Sequence, residues 1–294
     1  MDWRLGLLLH VQLGLKLNLT EVDLLTSTAL ELASPDQALS CVSSHEALRY
    51  FAEKKDWWKT SGQIVKQSAS SNVRWVYRGQ ADYPRLWNDL SHQPIIFSYQ
   101  GHPCWNDRPW ISVVGSRNPM SSTCQWLQGE LAAFLRASNW GVVSGGARGI
   151  DQWAHRIATD VNVPTICVFP GGLLRPYPDQ CEHIWRRILN AGGALISTFS
   201  LNEELRRWSF AVRNRWIAGL GSICLVAEAN RRSGSFLTAG LAMQEGRTLC
   251  TLPVSPTGEK GLANLDLLFD GAQLLRTHKD LLALAATSSC ALRS

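Results

Sequence analysis

Two glycine-containing turns that each carry an arginine are the residues of this chain best suited to chemistry, and that chemistry is the binding of an anion. Glycine lets a backbone approach a ligand closely, and the planar guanidinium of arginine suits the oxygens of a phosphate. The alternative is that the glycines serve only the backbone conformation of the turns. The turns predict a phosphate site formed by Gly115, Ser116, Arg117, Ser144, Gly145, Gly146, Arg148 and Gly149.

A third glycine turn, Gly171-Gly172, follows another apolar run and is itself followed by Tyr177. Aromatic rings stack on nucleobases with little preference for sequence. We therefore include Gly171 and Gly172 among the phosphate-binding candidates and Tyr177 as a stacking candidate. The alternative for Tyr177 is that its ring only packs against the prolines on either side.

A cluster of arginines in the second half of the chain adds further cations. Four of them lie within ten residues, namely Arg206, Arg207, Arg213 and Arg215, and Asn214 separates the last two. On a helix that begins near Phe210, Arg213 and Arg215 point in different directions. We expect Asn214 and at least one of Arg213 and Arg215 to contact a phosphate, while the other arginine caps the helix or pairs internally. A solvated charged face is the alternative.

Ser233, Gly234, Ser235 and Thr238 begin another predicted helix, directly after Arg231 and Arg232. The N–H groups at the start of a helix are unpaired, and the helix dipole favours an anion there. A serine at this place is also a natural N-cap. Capping explains the serines but not the adjacent glycine and arginines, so we predict phosphate contact by these four residues as well.

The chain lacks the patterns of common nucleotide-binding and hydrolytic sites. Ser116 and Arg117 follow Gly115, so the Gly-x-Gly-x-x-Gly fingerprint is absent, and no Walker lysine follows a glycine loop. Asp151 and His155 have the spacing of an acid–base pair on a helix, but an Asp in the first turn usually complements the helix dipole. We interpret both as structural. The eight cysteines show no metal-ligand spacing, and we predict no catalytic residue, no metal and no cofactor.

Alternating strands and helices must position these turns. Apolar β-rich runs predict strands at 111–114, 140–143, 164–169, 194–197, 223–227 and 248–252. Helices are predicted at 149–160, 180–190, 211–220 and 235–245. The alternation is typical of an α/β fold with a doubly wound, mostly parallel, Rossmann-like sheet, in which turns at the strand carboxyl ends line a ligand crevice.

The ends of the chain predict a two-part organisation. Leucines at helical spacings predict a small helical domain at 1–70, with a helix at 47–58 and a linker at 68–72. It is either a partner-binding module or a packing cap. The remainder, 71–294, is predicted to be one Rossmann-like domain that starts with a strand at 73–77. A strand at 94–97 is expected at a sheet edge, 101–109 is expected to be a loop, and mostly one helix is expected after Ala272.

Charge and hydropathy agree with a globular protein that binds anions. The chain has 294 residues, 45% hydrophobic content and a formal charge of +5. Residues 1–70 hold 7 basic and 8 acidic residues against 22 and 16 in the rest, and all 14 basic residues from 111 to 252 are arginine. Compositional bias is an equal alternative for this excess. No apolar run reaches membrane-spanning length, and the sequence predicts a cytoplasmic protein without a membrane partner.

Five motifs resemble the DNA-processing protein A family, also called DprA or Smf. They are GSRNP, SGGARGIDQWAH, GGLLRPYP, VRNRWIAGL and EANRRSGSFLTAGLA, and they occur in the order and spacing of that family. The resemblance extends from Tyr83-Pro84 to Gly271-Ala272, about two thirds of the chain. It implies a Rossmann-like domain that binds single-stranded DNA in natural transformation, loads a RecA-type recombinase and forms a homodimer. Some members append a C-terminal winged helix, for which this chain leaves too few residues.

The sequence therefore predicts a non-catalytic, sequence-independent binder of single-stranded DNA that protects incoming strands. The alternative is a nucleotide-binding sensor, or an enzyme similar to the nucleoside-monophosphate phosphoribohydrolases. Those enzymes have a Pro-Gly-Gly-x-Gly-Thr turn, whereas Pro170-Gly171-Gly172 continues here with Leu173-Leu174-Arg175. A scaffold with a vestigial crevice is a third reading.

Overall fold

Short runs of β-branched and aromatic residues form one nine-stranded sheet. The structure is a computed structural model that describes residues 57–256 and 260–291. The strands are β1 (Arg74–Tyr77), β2 (Ile96–Gly101), β3 (Trp110–Gly115), β4 (Gly141–Ser144), β5 (Thr165–Val168), β6 (Ala194–Ser197), β7 (Ile223–Glu228), β8 (Thr248–Thr251) and β9 (Gln273–Leu274). Their spatial order is β1-β2-β6-β5-β4-β3-β7-β8-β9.

The sheet is doubly wound, as predicted. Strands β3 to β6 follow one another in one direction, and β7 to β9 continue on the other side of β3, which pairs in parallel with both β4 and β7. All pairings from β6 to β9 are parallel, whereas β1 and β2 add two antiparallel pairings. The order therefore reverses between β3 and β7, and a ligand crevice is expected at this switch point.

Helices cover both faces of the sheet. They are α1 (Trp57–Ser70), α2 (Arg85–Asn88), α3 (Ser121–Trp126), α4 (Ala132–Ala137), α5 (Ile150–Asp160), α6 (Glu182–Asn190), α7 (Arg207–Leu220), α8 (Gly234–Gln244), α9 (Leu262–Phe269) and α10 (His278–Ala291). A π turn at Leu127–Leu131 joins α3 to α4. Strands buried on both faces explain the nearly continuous apolar runs of the sequence.

Several tryptophans are core residues. Trp185 is buried and packs edge-to-face on Phe169, with ring centroids 4.9 Å apart. Trp87 makes a similar contact with Phe97 at 5.0 Å. Trp126 and Trp153 are only half-buried, against the buried cluster that contains Ile111 and Val142. Aromatic packing of this kind contributes beyond the area that it buries.

Three sequence predictions differ from the structure. The strand predicted at 94–97 is not at the sheet edge, because β2 lies between β6 and β1, and β1 forms that edge. The predicted linker at 68–72 is partly helical, since α1 continues to Ser70 and Trp75 Nε1 donates to Ser68 Oγ at 2.8 Å. The two-residue strand β9 was too short for its pattern to predict.

The start of α7 is a further difference, and this one affects the site. The helix begins at Arg207, four residues before the predicted start. The Ser209 hydroxyl makes two hydrogen bonds with the backbone of Arg206 at the helix start. It donates to the Arg206 carbonyl at 2.6 Å and accepts from the Arg206 N–H at 3.3 Å. The other bounds in the parallel part agree within two residues.

The predicted N-terminal domain lies mostly outside the described residues. The helices expected before Trp57 fall there, including most of the helix at 47–58. Within the described part, Ile64 of α1 belongs to the same buried cluster as Val73 and Phe169 of the main domain. The boundary between residues 70 and 71 stays a prediction.

Candidate nucleic-acid interface

A cleft of about 320 Å³ opens at the carboxyl ends of β3 and β7, at the switch point of the sheet. We call it the main cleft. Nine of the predicted site residues line it: Gly115, Ser116, Arg117, Arg213, Asn214, Ser233, Gly234, Ser235 and Thr238. Val114, Ala147, Asp151, Phe210 and Asn230 complete its wall. The fold thus brings together three of the predicted segments that are far apart in the sequence.

The turn after β3 is fixed by its backbone. The Ser116 N–H donates to the Glu228 carbonyl at 2.7 Å, and the Ser116 carbonyl accepts from the Ile150 N–H at 3.1 Å. Ser235 Oγ donates to the Gly115 carbonyl at 2.8 Å. Arg117 itself is exposed and makes no ion pair with a carboxylate of the described residues. Its charge is therefore available to a ligand on a rigid turn.

Helix α7 presents Phe210, Arg213 and Asn214 on one face, because these positions are three and four residues apart. The guanidinium carbons of Arg117 and Arg213 lie 6.0 and 5.9 Å from the centre of the Phe210 ring, within cation–π range. Arg215 lies elsewhere, in an apolar groove with Trp216 and Leu237. Of the two candidate arginines, Arg213 faces the main cleft.

Contacts beneath the main cleft fix the position of the Arg213 side chain. Its side chain is only 6% exposed and lies 3.8 Å from the Asp151 carboxylate, measured from Nη1 to Oδ2. The guanidinium passes so close to Gly145 that any side chain at that position would overlap it. Gly145 is therefore required by the path of Arg213.

Burial perturbs the ionisation of the groups beneath the main cleft. It raises the pKa of Asp151, and the nearby Arg213 opposes this shift. Burial also lowers the pKa of Arg213 and, together with the charge of Arg213, lowers that of His155 to about 3. His155 Nδ1 lies 2.8 Å from Thr165 Oγ1, deep in the core. Our interpretation of Asp151 as purely structural needs correction, because Asp151 lines the main cleft and neutralises part of its charge.

The start of α8 forms the opposite wall. Ser233 Oγ accepts from the Phe236 N–H at 3.2 Å and so caps the helix as predicted. Asn214 Nδ2 and Thr238 Oγ1 both donate to the Gly234 carbonyl, at 3.2 and 2.9 Å. Within the described chain, the N–H groups of Gly234 and Ser235 have no hydrogen-bond partner. Two amide donors thus remain at the positive end of an eleven-residue helix.

Arg231 and Arg232 do not line the main cleft, contrary to what their position before α8 indicates. Arg231 Nε donates to Asp266 Oδ2 at 2.6 Å. This exposed pair holds Arg231 against α9. The N–H groups at the start of α8 therefore face the main cleft without these two arginine side chains beside them.

Five predicted residues are buried and do not line the main cleft, which corrects the expectation that they present a surface to a phosphate. Ser144 Oγ donates to the Val113 carbonyl at 2.6 Å. Gly145 and Gly146 pack against Arg213 and Trp185 respectively. Gly171 and Gly172 lie beneath the 200–205 segment, to which Gly172 donates at the Glu203 carbonyl at 3.2 Å. These residues shape the loops from within.

The remaining three candidates lie beside the main cleft. Tyr177 is 36% exposed and packs edge-to-face on Phe210, with ring centroids 5.9 Å apart. Arg148 and Gly149 line a second groove that shares Arg117 with the main cleft. We call this second space the arginine groove.

Phe210 is the main residue that the sequence interpretation missed. It contacts both cleft arginines and Tyr177. A signal for it exists, because Phe210 precedes Arg213 and Asn214 by three and four residues, which places it on their face of a helix. Placing the start of α7 at Arg207 would have revealed this face.

Among the described residues, no group of three His, Cys, Asp or Glu side chains could hold a metal ion. No helix in the described ranges has both the length and the apolar character to cross a membrane. The chemistry that the main cleft offers is cationic and hydrogen-bonding.

Comparisons with known proteins show what this chain is similar to. The family model described as DNA recombination-mediator protein A matches residues 74–286. The Smf protein of Synechocystis is 32% identical over 225 residues, which cover 75% of this chain and 56% of that relative. The chain thus spans little more than half of its length.

Two solved structures share the fold. DNA processing protein A from Streptococcus pneumoniae superposes with a TM-score of 0.81 at 24% identity, covering 96% of this chain and 97% of the other. The Helicobacter pylori protein, whose structure is described for its mode of binding single-stranded DNA, gives 0.65 at 24% identity, covering 73% and 96%. With the family model matched over most of the described residues, this chain belongs to the DNA recombination-mediator protein A family, also known as DprA or Smf.

Proposed function

We propose that this protein binds single-stranded DNA without sequence preference and that the main cleft holds the phosphate backbone. The observation that carries the proposal is the exposed Arg117 on a rigid turn, opposite the two unpaired amide donors of α8. Arginine and helix N-termini are both recurrent phosphate ligands. The related protein from H. pylori, which is described as binding single-stranded DNA, supports the choice of ligand.

The arrangement favours binding over catalysis. The buried Asp151 already pairs with Arg213, and the buried His155 has its pKa lowered to about 3, so neither is poised for proton transfer to a ligand near neutral pH. We propose that the protein is not an enzyme. Tyr177, next to Phe210 at the rim, is the candidate that stacks on a base.

Family membership supports the wider role. We propose that the protein protects incoming strands in natural transformation, loads a RecA-type recombinase on them, acts in the cytoplasm and works as a homodimer. The geometry of the main cleft does not identify the recombinase or the second protomer. Size measurement of the purified protein and binding to the recombinase, with and without DNA, test them separately.

The test of DNA binding uses Arg117→Ala with Arg136→Ala as its matched control. Arg136 is also exposed, but it lies in the last turn of α4, at the opposite rim of the sheet. We expect Arg117→Ala to weaken binding to oligo-dT and to mixed-sequence strands by a similar factor and to flatten the dependence of log Kd on log salt. A change in sequence preference, or an equal loss with Arg136→Ala, would contradict the phosphate assignment.

A nucleotide-binding sensor predicts a different result. In that case dTMP binds the main cleft as tightly as oligo-dT, and incubation with nucleoside monophosphates releases free base if the protein is a phosphoribohydrolase. We expect neither outcome.

A further inference from the structure

We propose that the arginine groove is a second backbone-binding subsite, which continues the path of the same DNA strand from the main cleft along helix α5. This inference rests on the proposed function, because it extends the footprint of the same ligand. It assigns Arg156 and Trp153 to DNA binding.

The composition of the arginine groove points to an anion. The groove has a volume of about 290 Å³, and Arg117, Arg148 and Arg156 are among its lining residues, while no carboxylate of the described residues lines it. Arg148 and Arg156 are exposed and make no ion pair within the described ranges. Lys260 Nζ adds a fourth cation near the rim, where it donates to the Asn118 carbonyl at 3.3 Å. Unpaired cations around one concave space raise the local concentration of an anionic ligand.

The two spaces share Arg117, and they meet where Gly149 packs against the Ser116-Arg117 turn, a contact that we call the ridge. Gly149 has a φ of +90°, and its α-carbon is pressed against the backbone of Ser116 and Arg117 so closely that a side chain would overlap them. Ala147 and Asp151 face the main cleft, whereas Arg148 and Gln152 face the arginine groove. Arg117 lines both. A DNA strand that passes over this ridge from the main cleft to the arginine groove therefore contacts Arg117.

The extent of the arginine groove favours a chain of phosphates over a single one. Gln152 and Arg156 are four residues apart on one face of α5, and Arg156 lies about 9 Å along the helix axis from Ile150, at a rise of about 1.5 Å per residue. Arg148 lies before the helix begins. Two arginines separated in this way can each contact a different phosphate of one backbone.

Trp153 gives the arginine groove an apolar wall. Its ring is half-buried against the core and also lines the groove. Sugars and bases of a single strand pack on such aromatic surfaces without sequence preference. Cations on one side and an aromatic wall on the other match the two chemistries of a nucleotide chain.

The test compares an Arg148→Ala/Arg156→Ala variant with a charge-matched Arg74→Ala/Arg136→Ala control. All four arginines are exposed and unpaired with carboxylates of the described residues, so thermal unfolding should be unchanged in both variants. The probes are labelled oligo-dT of about 5 and about 20 nucleotides, within and beyond the site sizes usual for one single-strand-binding fold. Fluorescence anisotropy over a salt series gives the affinity and its salt slope.

We expect the groove variant to bind the long strand at least about tenfold more weakly than the wild type does. The salt slope for the long strand should decrease in magnitude by about 1.4, because two phosphate contacts are lost and each contributes about 0.7. Arg156→Ala alone should account for about half of that change in slope. Binding of the short strand, which the main cleft holds, should change little, and the control should behave as the wild type.

Three results would overturn the inference. In the first, the groove variant binds long and short strands as the wild type does. In the second, the control loses as much affinity as the groove variant. In the third, dTMP or inorganic phosphate loses affinity for the groove variant while oligo-dT does not, which makes the groove a small-anion site. Failure of the proposed function looks different, because the wild type itself then binds no single strand.

Discussion

The main cleft and the arginine groove share Arg117 but hold their other cations in opposite ways. In the main cleft, Arg213 is buried, lies 3.8 Å from Asp151 and crosses the backbone of Gly145. In the groove, Arg148 and Arg156 are exposed and have no carboxylate partner in the described chain. A buried, paired arginine has a fixed geometry but little net charge, whereas an exposed one keeps its charge and its mobility. We infer that the cleft sets the geometry of binding and the groove supplies long-range attraction.

The largest difference between the two regions is expected for Arg213→Ala. Its removal leaves the buried Asp151 without a counter-charge, and breaking a buried pair in this way costs about 3–5 kcal/mol of unfolding free energy. Arg148→Ala should stay within about 0.5 kcal/mol of the wild type, as surface substitutions usually do. Urea unfolding measures both.

A double variant separates stability from binding in the main cleft. Arg213→Met with Asp151→Asn removes both charges, so most of the lost stability should return while binding of single-stranded DNA stays weak. The comparison fails if Arg213→Ala is no more destabilising than Arg148→Ala.

Gly149→Ala should damage both regions at once, because Gly149 forms the ridge between them. The residue has a φ of +90°, and a side chain there would overlap the backbone of Ser116 and Arg117. We expect a loss of about 2–4 kcal/mol from backbone strain and overpacking together. Gly192→Ala is the matched control, since Gly192 has a φ of +73° with open space around it, and strain alone should cost about 1 kcal/mol. Equal losses in urea unfolding would show that the ridge is not tightly packed.

The pH dependence of stability tests the environment of His155, which is buried beneath the main cleft. Its pKa is lowered from 6.5 to about 3 in the folded protein. The unfolded chain therefore binds a proton below about pH 6.5 that the folded chain does not, and stability falls as pH decreases toward 3, by up to about 1.4 kcal/mol per pH unit. The loss is absent above pH 7.

The variant that checks this is His155→Asn, which retains a polar group to bond Thr165 but does not titrate. We expect the difference in unfolding free energy between variant and wild type to change between pH 6.5 and 4 and to be constant above pH 7. If the two plots of unfolding free energy against pH are parallel over the whole range, His155 takes up a proton in the folded core as it does in the unfolded chain.

The smallest effect is expected for Ser233→Ala at the start of α8. The loss of an N-cap hydroxyl costs about 1 kcal/mol. Ser70→Ala is the control, because Ser70 Oγ is exposed and donates to the Gln67 carbonyl at 3.0 Å without capping a helix start. Because the hydroxyl is uncharged, a decrease in DNA affinity with Ser233→Ala should leave the salt slope unchanged. A flatter slope would mean that the variant displaces a cation.

The sequence predicted the sheet and the location of the main cleft because every central strand is a short apolar run that ends in a turn. It did not predict which turn residues are covered. Gly145 and Gly146 are buried by Arg213 and Trp185, which are distant in the chain, and local pattern carries no information about such contacts. The same holds for Asp151, whose cleft role depends on a partner 62 positions away.

The orientation of α7 shows how a small error at a helix boundary affects a site. With a start near Phe210, the sequence left both Arg213 and Arg215 as candidates. The observed helix starts at Arg207 and packs so that Phe210, Arg213 and Asn214 line the main cleft, while Arg215 lies in another groove. The sequence interpretation did not extend the helix to Arg207, because the reciprocal hydrogen bonds between Ser209 and Arg206 leave no recognisable pattern in the composition.

The most direct measurement of the central claim is the affinity of the wild-type protein for oligo-dT, a mixed-sequence single strand and their duplexes over a series of salt concentrations. We predict similar affinities for the two single strands, weaker binding to duplex and a log–log salt slope of about −2 or steeper, which corresponds to at least three neutralised phosphates. Binding that does not depend on salt, or that is tighter for duplex than for single strands, would contradict the account.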